Sequence, residues 1–198
     1  MGQFIPCAKA AGTPVLRIAV TMDASTCNEE PASMKLAEFN SADTAVAADA
    51  LKPCIDVQRW IEAITAARPF SSRATLLDFA AHAAAPFTAA EVEAAMAHHP
   101  RIGERPTAST AEASMSRSEQ SGVDPSDNGT AAALAAGNRA YEEKFGRVFL
   151  IRAAGRTAPE ILAALNTRLG NSPAEEDAIV AQQLREIALL RLEGVISE

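Results

Sequence analysis

The sequence predicts an all-α fold: a single compact multi-helix domain of seven or eight helices behind a poorly ordered N-terminal leader. Three observations carry this. Alanine dominates from Met34 onward, and alternating β-branched runs of the kind that make strands do not occur. Helix start and stop signals recur at regular intervals. The length, 198 residues, suits one ordinary domain, or one domain with a tail.

Residues 1–33 mix Gly, Pro, Cys, Thr and Asn without a sustained period. They are read as the leader, and the helical domain as 34–198. The first helices are expected at about 42–51, 54–67 and 73–84. The next, TAAEVEAAMAHH, opens with Thr88 and Glu91, the spacing of a capping box, and spans about 88–98. Helices at about 111–121 and 127–145 follow, the latter closed by Gly146 as a C-cap. TAPEILAALNTRLGN pairs Thr157 with Glu160 and stops at Gly170, giving 157–169. The last, 172–195, has Ser172 as N-cap, Pro173 at the first helical position and Glu175 three residues after the cap. Its Ile179, Leu184, Ile187, Leu190 and Leu192 form a broad apolar stripe suited to a core helix. The one strand-like run, VFLIR from Val148 to Arg152, is too short and isolated to build a sheet.

Composition narrows the function. Hydrophobic residues make up 48% and charged residues 22%, as in soluble globular proteins. Aromatics are only 5%, so the core must rest on Ala, Leu, Ile and Val. A net charge of −7 with no basic run argues against a nucleic-acid partner. No apolar run approaches the roughly 20 residues needed to span a bilayer, so no membrane association is expected. Cys7, Cys27 and Cys54 are odd in number, far apart and distant from any His. That speaks against a disulfide framework or a zinc site and for a reducing, cytoplasmic setting.

Titratable residues concentrate in MAHHPRIGERP, Met96 to Pro106. A residue before proline is pushed out of the α conformation, so the chain turns away at His99. His98 and His99 then point in different directions and are not the i, i+4 pair that shares a metal; no metal site is expected. An imidazole held at a helix end can serve as general acid or base, since its charge changes near working pH. It can equally cap helix carbonyls at the surface. His98, and His82 within DFAAHAAAPF, read as structural.

ASMSRSEQSGV crowds Ser114, Ser116, Ser118, Glu119 and Gln120 into one segment. Ser116 and Glu119 share a helix face three apart, where they either position a polar substrate or simply face solvent. No GxSxG elbow, GxGxxG or P-loop is present. Arg168 in LNTRLGN and Arg191 in LLRLEGV are set among apolar residues. Each is a structural ion-pair member, a snorkelling side chain or a bidentate carboxylate clamp.

The order of these blocks adds what none supplies alone. HPRIGE, then SxxEQ, then NRAYEEKFGRVFLIRAAG, ILAALNTRLGN and REIALLRL resembles the OHCU decarboxylase family, whose substrate is 2-oxo-4-hydroxy-4-carboxy-5-ureidoimidazoline (OHCU). The LxxFN segment and the W-to-RPF stretch upstream match as well, so the resemblance runs from about Lys35 to Val195. It implies a cofactor-independent decarboxylation yielding (S)-allantoin in urate breakdown, by a compact all-α homodimer. It also implies roles. His99 is the catalytic histidine, with Glu119 sharing proton transfer. Pro100, Ser116, Gln120, Arg191 and backbone groups of Phe149, Leu150 and Ile151 hold the substrate. One departure stands out: FGRVF where the family often has FGFPF puts Arg147 and Val148 beside the expected site. Two rival readings remain, a non-catalytic helical binding module that kept the fold and an acid-base hydrolase of a related ureide.

Overall fold

The computed structural model describes residues 33–97, 99–104, 110–122 and 128–198. His98 and all of the leader but Ser33 lie outside that set, and the described residues fall in one unit, Pro31–Glu198. The element order among them is β1 (Met34–Lys35), α1 (Leu36–Ser41), α2 (Thr44–Leu51), α3 (Gln58–Ala66), α4 (Arg73–His82), α5 (Ala89–Met96), α6 (Ala111–Glu119), α7 (Asn128–Phe145), α8 (Ala158–Arg168), α9 (Pro173–Val195) and β2 (Ile196–Ser197).

The fold class is the expected one. There are nine helices among the described residues, one more than the sequence signals gave, because α1 is only six residues long and too short to show a period. The helix expected from about 42 splits off at Ala42, where the backbone is extended and Asp43 caps the next turn. The helix expected from 54 starts at Gln58, since 52–57 turns beneath α2 instead. VFLIR stays strandless. The strand pairing that does form was not anticipated: β1 runs parallel to β2, with Met34 opposite Ile196.

The start signals act as read. The carboxylates of Glu91, Glu160 and Glu175 accept from the backbone N–H of Thr88, Thr157 and Ser172 at 2.7, 2.7 and 2.8 Å. Gly146 ends α7 at φ 69°, a left-handed turn that glycine adopts without steric cost.

Two apolar cores organise the unit. The larger gathers α1–α5 around the inner face of α9, with Phe39, Leu51, Trp60, Ile61, Ile64, Leu76, Val180, Leu184 and Leu192 buried. Trp60 satisfies its indole N–H on the Ala80 carbonyl at 2.9 Å. The smaller core joins α7, α8 and the segment after α7 through Leu134, Tyr141, Phe149, Ile161 and Leu165. A β-carbon at Gly137 would come within 2.5 Å of Leu165 Cδ2, so glycine is what lets α7 and α8 approach so closely.

Candidate functional site

The site is built where α5 stops and where side chains of α6 meet Arg191 on the last turns of α9. α5 closes at Met96, and the His99 N–H donates to the Met96 carbonyl at 3.1 Å. Pro100 then carries the chain out of helix, as its chemistry requires. His99 Nδ1 lies 2.9 Å from the Ala95 carbonyl. A carbonyl only accepts, so Nδ1 carries the proton and Nε2 is the basic nitrogen of the neutral ring.

The loop after His99 is tied down from three directions. Gln120 Oε1 accepts from the Gly103 N–H at 3.0 Å. Asn138 Nδ2 donates to the Ile102 carbonyl at 3.0 Å. Arg101 forks onto the Glu142 carboxylate at 2.5 and 2.9 Å, which holds the Glu142 pKa below its ordinary value. Gly103 turns this loop at φ 88°. Much of the HPRIGE block is therefore scaffolding that fixes the position of His99.

α6 presents Ser116 and Glu119 on one face, as their spacing predicts, and both meet Arg191. On α9, Arg191 follows the buried Ile187 and Ala188 by four and three residues, so it continues the inward stripe rather than facing water. That stripe is Val180, Leu184, Ile187, Ala188 and Leu192; Ile179 and Leu190, expected in it, are only half-buried. Arg191 Nε donates to Glu119 Oε1 at 2.6 Å and Nη2 to Oε2 at 3.0 Å. Nη2 also reaches Ser116 Oγ at 3.1 Å, and Nη1 the Pro53 carbonyl at 3.3 Å. Arg191 is 6% exposed and Ser116 4%. This is a fork-to-fork charge pair in a largely dry setting, which fixes geometry as well as charge.

A cavity of about 480 Å³ opens over this group. Its wall includes His99, Pro100, Ser116 and Arg191, together with Pro53, Ile55, Thr110 and the charged Lys52, Asp56 and Glu112. Glu119 and Gln120 stand behind the wall, Glu119 through Arg191 and Gln120 through the loop. Nearby Cys54 is buried, and burial pushes its thiol up to about 12, so it is an inert neighbour.

Phe149, Leu150 and Ile151, expected to offer backbone groups to the substrate, lie on the segment after α7. All three are buried, none belongs to the cavity wall, and the Leu150 carbonyl accepts from Arg168 Nη1 at 2.7 Å. Arg168 itself is the structural partner of Glu176: Nε and Nη2 both donate to Glu176 Oε1, as does the Tyr141 hydroxyl. Of the two arginines in apolar surroundings, Arg168 braces the smaller core and Arg191 faces the cavity. Arg147 pairs with Asp177 and lines a separate cavity of about 720 Å³ with Phe87, Val92, Met96 and Phe145. The FGRVF departure thus changes that cavity and not the wall around His99.

An all-α domain that sets a histidine with a defined basic nitrogen opposite a serine–glutamate–arginine cluster has the parts for proton transfer on a small polar molecule. The OHCU decarboxylase family model matches residues 40–193, and the chain belongs to that family. It is 37% identical over 100 residues to the 2-oxo-4-hydroxy-4-carboxy-5-ureidoimidazoline decarboxylase of Amia calva, covering 50% of this chain and 57% of that one. It is 38% identical over 107 residues to the uric acid degradation bifunctional protein TTL of Arabidopsis thaliana, covering 52% of this chain and 33% of that one. The chain thus spans little more than half, and a third, of the lengths of these two relatives. A crystal structure of OHCU decarboxylase in the presence of (S)-allantoin is similar at a TM-score of 0.57 and 26% identity, over 73% of this chain and 94% of that one. A crystal structure of (S)-allantoin synthase shares the fold at a TM-score of 0.60 and 18% identity, over 82% and 54%.

Proposed function

We propose that the chain is a carboxy-lyase that converts OHCU to (S)-allantoin. The observation that carries this is the cavity in which His99 stands with Ser116 and the Glu119-locked Arg191, in a chain of the OHCU decarboxylase family. The substrate supplies its own electron sink. When the bond from C4 to the carboxylate breaks and CO2 leaves, the electron pair moves toward the ring C=N, whose nitrogen takes up a proton from water. The resulting enol loses its hydroxyl proton as the neighbouring ring carbon gains one. The protein has to hold the ring, favour charge developing on it and deliver that proton to one face. Arg191 and Ser116 supply fixed donors, and His99 Nε2 the basic group. Delivery from a single wall yields a single enantiomer. The Glu119 carboxylate keeps the Arg191 fork in position and sets the field in which His99 works.

We further propose that the chain works as a homodimer in the cytoplasm. The family resemblance supports the dimer, and the free, buried Cys54 suits a reducing compartment. Light scattering on the purified chain tests the dimer; a monomer mass at assay concentration would refute it.

The activity test generates the unstable substrate in place from urate with urate oxidase and hydroxyisourate hydrolase, then follows the circular dichroism of allantoin. A fast rise of the (S) enantiomer, abolished in His99→Asn with the fold intact, is the expected result. A rise no faster than the spontaneous, racemising background overturns the decarboxylase reading. It would favour a binding module that kept the fold. Ammonia or ring-opened products without CO2 would instead indicate a hydrolase.

A further inference from the structure

Among the described residues two cations, Arg191 and Lys52, line the cavity, and they are not equivalent. Arg191 is committed: its donors go to both Glu119 oxygens, to Ser116 Oγ and to the Pro53 carbonyl, and the side chain is 5% exposed. Lys52 closes α2 as its C-cap residue and stands on the same wall with its side chain 51% exposed. One of its three ammonium donors goes to Asp49 at 2.7 Å, and that pair is an exposed i, i+3 contact of the weak kind. The other charged side chains on the wall among the described residues, Asp56 and Glu112, are acidic and would repel an anion. From this arrangement we propose that Lys52 is the specificity residue that receives the substrate's carboxylate at the rim of the cavity. The assignment rests on the decarboxylase reading for its substrate, but not for its binding test.

Its exposed position has a chemical consequence. A cation that gripped the carboxylate tightly in a dry site would stabilise the ground state and oppose loss of CO2. An ammonium screened by solvent selects the anion without holding its charge in place. Its contribution is binding shared by bound substrate and transition state, which appears in KM and not as faster chemistry. The ring and its developing charge remain with Arg191, Ser116 and His99 further in.

The test uses two stable ring ureides that differ by a carboxylate arm, hydantoin-5-acetate and hydantoin, titrated calorimetrically into the full chain at low salt. Lys52→Met should weaken hydantoin-5-acetate about three- to fivefold, the size of an exposed charge contact, and leave hydantoin unchanged. Lys52→Arg should keep most of the preference, and added salt should erode it in the wild type. In the coupled assay, Lys52→Met should raise KM by a similar factor without lowering kcat. An unchanged affinity for hydantoin-5-acetate in Lys52→Met overturns the assignment, as does equal weakening of both ligands or a wild type that does not bind the carboxylate. Failure of the wild type to turn over OHCU would sink the decarboxylase reading, while the ligand pair would still report on Lys52.

Discussion

Replacing Glu176 by glutamine asks how much of the smaller core depends on one carboxylate. Glu176 is fully buried and takes four hydrogen bonds. Arg168 Nε and Nη2 and the Tyr141 hydroxyl donate to Oε1, and Asn171 Nδ2 donates to Oε2. Burial alone would push its pKa up, but these donors outweigh it and hold the value below that of an ordinary glutamate. Glutamine keeps the shape, removes the charge and turns one acceptor into a donor facing Asn171. The Arg168 guanidinium is then left 7% exposed between the rings of Phe149 and Tyr141 with no opposite charge bound to it. Breaking a buried pair by removing one partner costs about 3–5 kcal/mol, and the retained amide oxygen argues for about 3. For a chain of this size that is a drop in Tm of about 6–12 °C. Urea unfolding and calorimetry of Glu176→Gln against wild type measure it. A group whose folded pKa is lowered stabilises above its unfolded value and loses that contribution as pH falls, so the deficit should shrink below about pH 4. A deficit under about 1 kcal/mol at pH 7, or one independent of pH, would refute the reasoning.

The other predictions concern the site, a helix contact and acid stability. Arg191→Lys keeps the charge but cannot fork onto Glu119 and reach Ser116 at once, so turnover should fall about 10²-fold in the coupled assay; turnover within threefold of wild type would contradict the role given to the fork. Gly137→Val drives a side chain into Leu165 and should destabilise by about 1–3 kcal/mol in urea unfolding, whereas a neutral result would mean that α7 and α8 can separate at no cost. The hydrogen bond from Arg59 lowers the Glu91 carboxyl to about 2, so its contribution is full above about pH 4.5 and is lost as pH falls toward 2. Glu91→Gln should therefore flatten the acid limb of the stability profile; an unchanged limb would show that other groups govern it.

Local chemistry was legible in the sequence and long-range pairing was not. Three capping boxes fixed the starts of α5, α8 and α9, because each is complete within four residues. Ser116 and Glu119 were legible as a face for the same reason. Which arginine meets which carboxylate was hidden, since Glu119 lies 72 residues from Arg191 and only the tertiary fold brings them together. Lys52 gave no signal at all: a lysine after an alanine-rich helix looks like solvated surface until Pro53, Ile55 and His99 are seen to enclose a cavity with it. The family resemblance supplied the roles proposed for His99 and Glu119. It did not supply Asn138 or Glu142, which hold the loop after His99 from a helix about 40 residues away.

The pairing of Met34 with Ile196 makes the fold a closed circuit. During synthesis β1 emerges early and must wait for almost the whole domain before its partner exists. Ile196, wholly buried, comes after every described helix. The β1–β2 contacts are therefore of very long loop length, and α9, which carries both part of the larger core and Arg191, follows the other described helices in the chain. A ribosome stalled before α9 would hold a chain with an unfinished core and without Arg191. Core and cavity are thus completed together, by the same helix and the strand that follows it.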